Sequence, residues 1–269
     1  MSLFFSEIDW TRPWYASLDL ASLQPCFNQA WRTHFNDLFA QRQLKNHRGF
    51  DLRLIAQEDL PEGRAYEEHI SLTGGIPTRE NLHDFFNAMV WLSFPKIKCQ
   101  LNAMQAAQIE QLGVGKMRGP ARDAATIFDE NAALLVLRDT PEGRALLTHL
   151  MQHEWSQALF EQAHQFGQTW QLWCFGHALM EKLVQPYKAI TTHCKIVWLP
   201  AAQADAYFVL DRLAQAAYLD ELVTQDLRQH GLINKDYTPL PILGVPGWWP
   251  QQDAEFYADQ LVFRQKRLK

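Results

Sequence analysis

The stretch Arg79-Glu80-Asn81-Leu82-His83-Asp84-Phe85-Phe86-Asn87-Ala88-Met89-Val90-Trp91-Leu92-Ser93-Phe94-Pro95 reads as one helix, apolar almost all the way round yet carrying His83, Asp84 and Asn87. A helix of that kind belongs in a protein interior. Polar groups carried there need partners, because burying them unpaired is costly. The spacing starts this helix between Thr78 and Asn81 and stops it before Pro95. The chain is therefore expected to be built around one buried helix with a polar cluster attached.

Working outward, Lys96 to Leu112 repeats Ile97, Leu101, Met104 and Ile109 at helical spacing, with Gly113 and Gly115 beyond it. Upstream, Phe27, Trp31, Phe35, Leu38 and Phe39 predict a helix over Leu23 to Leu44, and alternation over Asp51 to Gln57 predicts a strand. Tyr66 to Leu72 fits a short strand or helix stopped by Gly74-Gly75. Downstream, Asp123 to Arg138 reads as a hairpin turning at Asp129-Glu130-Asn131. Thr140 and Pro141 open a helix expected to reach about Phe166. Gly176 to Val184 reads as a short helix, Ile190 to Leu199 as a strand, and Ala201 to Gln229 as one long helix.

These elements give an α+β class: a helix-rich single domain over residues 1–269 with a small, mostly antiparallel sheet. Residues 1–20 read as an irregular arm, and residues 237–269 as a Pro- and Trp-rich tail docked on the body. The composition, 47% hydrophobic and 20% charged with ten Trp and sixteen Phe, is that of a globular protein. The net charge of −5 argues against a nucleic-acid or anionic-membrane partner. No apolar run is long enough to span a membrane. The N-terminus lacks the basic start of a signal peptide, and four scattered cysteines form no Cys-x-x-Cys, so a cytoplasmic location is expected.

Four blocks carry a family resemblance: Ile76 through Asn102, Arg122 through Asn131, Phe175-Gly176-His177-Ala178-Leu179-Met180-Glu181-Lys182-Leu183, and Pro239 through Pro250. With Phe256-Tyr257 and Val262-Phe263-Arg264, the set resembles a bacterial family known as "domain of unknown function 3025". Ala132 departs from it where relatives tend to place glycine. The resemblance implies no activity.

The chemistry-bearing residues cluster in the same blocks. His83 and Asn87 share a helix face, with Asp84 about 100° round it. His177 and Glu181 repeat the i, i+4 spacing on another apolar helix. Histidine can ligate a metal or move a proton near neutral pH, and a carboxylate behind it fixes its tautomer. His83, Asp84, Asn87, His177 and Glu181 are therefore the candidate catalytic residues, with Asp84 as orienter of His83 and Glu181 as acid or ligand. Arg79, Arg122, Asp129 and Glu130 are candidates for contact with substrate, although the acidic turn also fits a merely solvated one.

The expected function is a metal- or acid/base-assisted hydrolase. The alternative is a non-catalytic binding or assembly protein whose polar residues specify the core. A distant third is a His-Asn-His nuclease, faintly echoed by Glu68-His69-Ile70 and the glycines after it. His149, His153 and Glu154 lack the zincin order, and no nucleophile elbow, P-loop or dinucleotide fingerprint occurs. No cofactor is named by these residues, a divalent metal is left open, and partners and oligomeric state are unspecified.

Overall fold

A computed structural model describes residues 5–23, 30–112 and 120–266. Its centre is the predicted helix, Leu82–Ser93, where every residue from Asp84 to Leu92 is buried. The Asn81 side chain accepts from the Asp84 N–H at 2.8 Å and so caps the helix start. Pro95 opens the next helix, Pro95–Leu112, in keeping with proline at a first helical position. The Asp220 carboxylate, on helix Arg212–His230, accepts the N–H groups of Lys96 at 3.1 Å and Ile97 at 2.9 Å.

Four strands form the larger sheet: β3 (Ala132–Arg138), β4 (Trp170–Cys174), β5 (Thr191–Leu199) and β6 (Tyr237–Pro241), in the order β4-β3-β5-β6. The β3–β4 and β5–β6 pairings are antiparallel, and β3–β5 is parallel. β3 is covered on both faces, which is why Ala132 to Leu137 reads as an unbroken apolar run. A parallel pair, β1 (Arg53–Ala56) and β2 (Gly75–Thr78), makes a second small sheet. The fold is thus a helix-rich α+β one, as expected from the sequence.

Several boundaries differ. The expected hairpin at Asp123 to Arg138 is instead a helix, Pro120–Asn131, running directly into β3. Ala124, Ala125 and Phe128 supply its buried stripe, a 3.6-residue period that the β-branched residues nearby conceal. The helix from Thr140 stops at Gln152, because His153 takes a left-handed conformation (φ 60°) and turns the chain. The long helix from Ala201 is broken after Phe208, and Asp211 caps a new start by accepting from Ala214 N–H. Near Trp31–Gln41 the expected helix is shorter, and its predicted residues 24–29 lie outside the described ones, as do Gly113 and Gly115. β4 and β6 went unread, each being short and bounded by aromatic or proline residues.

Three elements meet at one end of the central helix. The backbone N–H groups of Phe175 and Gly176 both donate to the Ala132 carbonyl, at 3.1 and 2.8 Å, which ties the short helix His177–Lys182 to the last turn of helix Pro120–Asn131. The approach is tight. A Cβ on Gly176 would lie 2.5 Å from the Glu130 carbonyl oxygen and 2.6 Å from the Asn131 and Ala132 nitrogens. Gly176→Ala is therefore expected to push the two helices apart and destabilise the protein by about 1–3 kcal/mol, measured by urea denaturation. A variant as stable as the parent would show that the contact yields freely.

Candidate metal centre

His83 projects from the first turn of the central helix, His177 from the start of the short helix, and Glu130 from the last turn of helix Pro120–Asn131. The Nε2 atoms of His83 and His177 are 3.1 Å apart. Glu130 Oε2 lies 3.5 Å from His177 Nε2 and 4.0 Å from His83 Nε2. Behind the rings stand two more carboxylates: Glu181 Oε2 is 3.0 Å from His83 Nδ1, and Asp129 Oδ2 is 3.9 Å from His177 Nδ1. His177 is buried, whereas the His83, Glu130 and Glu181 side chains keep 30%, 39% and 38% of their exposure. The cluster is buried at His177 and Asp129 and open at His83, Glu130 and Glu181.

Proton placement follows from these partners. A neutral His83 that gives its Nδ1–H to Glu181 presents an Nε2 lone pair towards His177. If His177 donates from Nε2, its buried Nδ1 lone pair is left facing the Asp129 carboxylate with no hydrogen-bond donor. If His177 carries its proton on Nδ1, three lone pairs, two imidazole and one carboxylate, converge on one point. Protonating both nitrogens is opposed by burial, which pushes the His177 pKa down to about 3 even though Asp129 pulls the other way.

The surrounding network is largely satisfied. Lys98, almost wholly buried, pairs with Asp129, donates to Asn87 Oδ1 at 2.8 Å and lies over the Trp91 ring. Asn87 donates in turn to the Tyr66 hydroxyl at 2.9 Å. Burial acts to raise the Asp129 pKa, but Lys98 and His177 outweigh it and hold the carboxyl below its ordinary value. Burial, then the Asp129 charge, raises Glu130. The same two causes push Glu67 up to about 7, while Asn102 donates to its Oε2 at 2.7 Å. Because Lys98 neutralises Asp129 in a buried place, Lys98→Met is expected to cost about 3–5 kcal/mol. Adding Asp129→Asn should recover part of that loss in the same denaturation assay; no recovery would argue against the pair.

Of the residues singled out in the sequence, His83, His177, Glu181, Asp129 and Glu130 come together, and Asn87 joins them through Lys98. Asp84 does not. Its carboxylate accepts the Arg79 N–H at 2.7 Å and pairs with the Arg79 guanidinium at 2.9 and 3.1 Å, so it closes the helix start instead of orienting His83. Arg79 is thereby engaged. Arg122 sits about 10 Å along its helix from Asp129, and its charge acts on Glu67. The acidic turn is a buried helix end at Asp129, not a solvated loop. His69, the strand histidine of the nuclease echo, lies on helix Tyr66–Thr73 with its ring against Gly75. Lys98, Tyr66 and Glu67 were missed; a lysine on the Ile97–Leu101 face was the available signal.

No helix among the described residues is long and apolar enough to cross a membrane. No curated protein and no solved structure matches the chain. A family profile described as "Protein of unknown function (DUF3025)" matches residues 52–267, including every residue of the His/Glu cluster, and the chain belongs to that family.

Proposed function

We propose that the protein is a cytoplasmic, metal-dependent hydrolase whose divalent cation is held by His83 Nε2, His177 Nε2 and Glu130 Oε2. One observation carries this reading: two histidines turn their Nε2 atoms towards one carboxylate, with Glu181 hydrogen-bonded to His83 Nδ1 and Asp129 standing 3.9 Å from His177 Nδ1. Ligand atoms on a tetrahedral cation with bonds of about 2.0–2.1 Å sit about 3.3 Å apart; the 3.1 and 3.5 Å separations here are close to that, and the third, between His83 Nε2 and Glu130 Oε2, is wider at 4.0 Å. Carboxylates behind ligating histidines fix the tautomer and raise ligand basicity. A cation also relieves the lone-pair conflict of the two neutral rings and adds positive charge beside Glu130 and Glu181, Asp129 being paired with Lys98. Three protein ligands leave a position for water on the exposed side, where lowering its pKa makes a nucleophile. The free thiols Cys99, Cys174 and Cys194 suit a reducing compartment.

A non-catalytic reading draws on the chain Tyr66–Asn87–Lys98–Asp129, which bonds four helices together with no metal. Elemental analysis of purified protein separates the two, followed by assays on chromogenic phosphate and carboxylate esters with and without chelator. Hydrolysis that falls on chelation and returns with added metal is expected. Protein that gains no thermal stability with Zn²⁺, Mn²⁺, Fe²⁺ or Mg²⁺ would favour the non-catalytic reading, since a ligand at 100 times its Kd adds about 2.7 kcal/mol.

A further inference from the structure

A cleft of about 420 Å³ opens at the other end of the central helix, lined by Leu92 and Ser93. Ten residues of helix separate Ser93 from His83, which is about 15 Å along the axis. The volume lies within the range of small-molecule sites. Its walls come from four separate elements: the arm around Leu18, the end of helix Trp31–Gln41, the central helix with the start of its successor, and helix Arg212–His230.

The charges of this cleft can be assigned one by one. Arg42 donates to Asp19 at 2.7 Å and to Ser22 Oγ at 2.9 Å. Lys96 donates to Glu221 at 2.7 Å. The Asp220 carboxylate is engaged by two backbone N–H groups. Arg212 stands apart: among the described residues no carboxylate pairs with it, and its one side-chain hydrogen bond is a long 3.4 Å contact to Gln215. Its guanidinium is held by stacking on the Trp173 ring, 4.0 Å from the centroid. A stacked guanidinium keeps its N–H edge available and pre-organised for a carboxylate. Ser93 Oγ accepts the Asp19 N–H at 3.4 Å, and its own proton remains to be donated. The rest of the lining is mostly apolar, with Leu18, Leu92, Leu213 and Ala216.

We propose that this cleft binds a small monocarboxylate with an apolar tail, Arg212 gripping the carboxylate and Leu18, Leu92 and Leu213 covering the tail. A single charge is indicated because Arg42 is paired with Asp19 and Lys96 with Glu221, which leaves Arg212 as the one lining cation with no carboxylate partner among the described residues. The Asp19 and Asp220 carboxylates of the lining repel a dianion. The site is separate from the histidine cluster and stands whether or not that cluster holds a metal.

The test is a titration of the full chain with hexanoate, followed through the amide signals and the arginine side-chain Nε–H signals in NMR. Hexanamide and inorganic phosphate serve as competitors in chemistry. Saturable shifts centred on Ser93, Leu213 and Arg212 are expected with hexanoate, and none with hexanamide at the same concentration. Arg212→Gln should weaken hexanoate at least tenfold. Ala217→Glu, at an exposed position on the cleft wall, should do the same by repulsion without disturbing the core. Absence of saturable shifts with hexanoate, equal affinity in both folded variants, or tighter binding of hexanamide or phosphate would overturn the proposal.

Discussion

His83→Ala is expected to leave a folded protein whose affinity for a divalent cation has fallen by more than about 100-fold, because loss of an outer-shell partner alone costs roughly 10–100-fold. Its side chain is 30% exposed, so the truncation opens no deep cavity and removes one of three convergent ligand atoms. Any hydrolytic activity should fall in step with the metal. Glu181→Gln provides the graded comparison: it keeps a hydrogen-bonding partner near His83 Nδ1, loses the carboxylate charge, and should weaken metal binding within that 10–100-fold range. Metal content by elemental analysis, affinity by competition with a chromophoric chelator, and melting temperature are read on the same samples. A His83→Ala protein that keeps a full equivalent of metal would sink the proposed ligand set. Equal melting of parent and variant, with and without metal, would point instead to the non-catalytic role.

Cutting the chain after Thr238 is expected to abolish folding. The lost segment contains most of β6, which pairs with β5 from Thr191 to Lys195. It also carries Ile242, Leu243 and Val245, all fully buried, together with the buried Trp248, Phe256, Tyr257 and Phe263. Trp248 packs on Trp14, whose centroid is 6.2 Å away, so the tail and the N-terminal arm hold each other. Seven such side chains at about 1.5–3 kcal/mol each contribute on the order of 10–20 kcal/mol of apolar burial, against a net stability of about 5–15 kcal/mol for a typical domain. Far-UV circular dichroism and size-exclusion chromatography on the fragment decide it. A soluble, monodisperse and cooperatively melting fragment would show that the tail is dispensable.

Much of the helical skeleton was legible in the sequence because its signals are local. Asn81 and Pro95 bound the central helix by capping and by steric exclusion of helix before proline, and both act within a few residues. The pairing of His83 with His177 was also suggested by sequence, since two polar i, i+4 pairs on apolar helices have to find partners. Asp84 shows where this reasoning fails. A carboxylate beside a histidine in sequence points about 100° away on a helix, and the helix start, with its unpaired N–H groups and Arg79, used it instead.

The helix at Pro120–Asn131 and the strands β4 and β6 were decided by tertiary structure. The segment Ala124 to Leu137 is apolar on both sides of Asp129-Glu130-Asn131, and neither period dominates until Gly176 closes against Ala132 and marks where helix becomes strand. That one close approach also places Asp129 in the interior and Glu130 half-exposed at the site. Lys98 could not be assigned from sequence for the same reason: its partner is 31 residues away. The sequence by itself determined the central helix, the helix-rich α+β class and the residue types of the polar cluster, because capping, proline sterics and hydrophobic period are short-range. Which carboxylate faces which histidine was left to the packing of three helix ends, since a contact between distant segments has no local energy by which the chain could announce it.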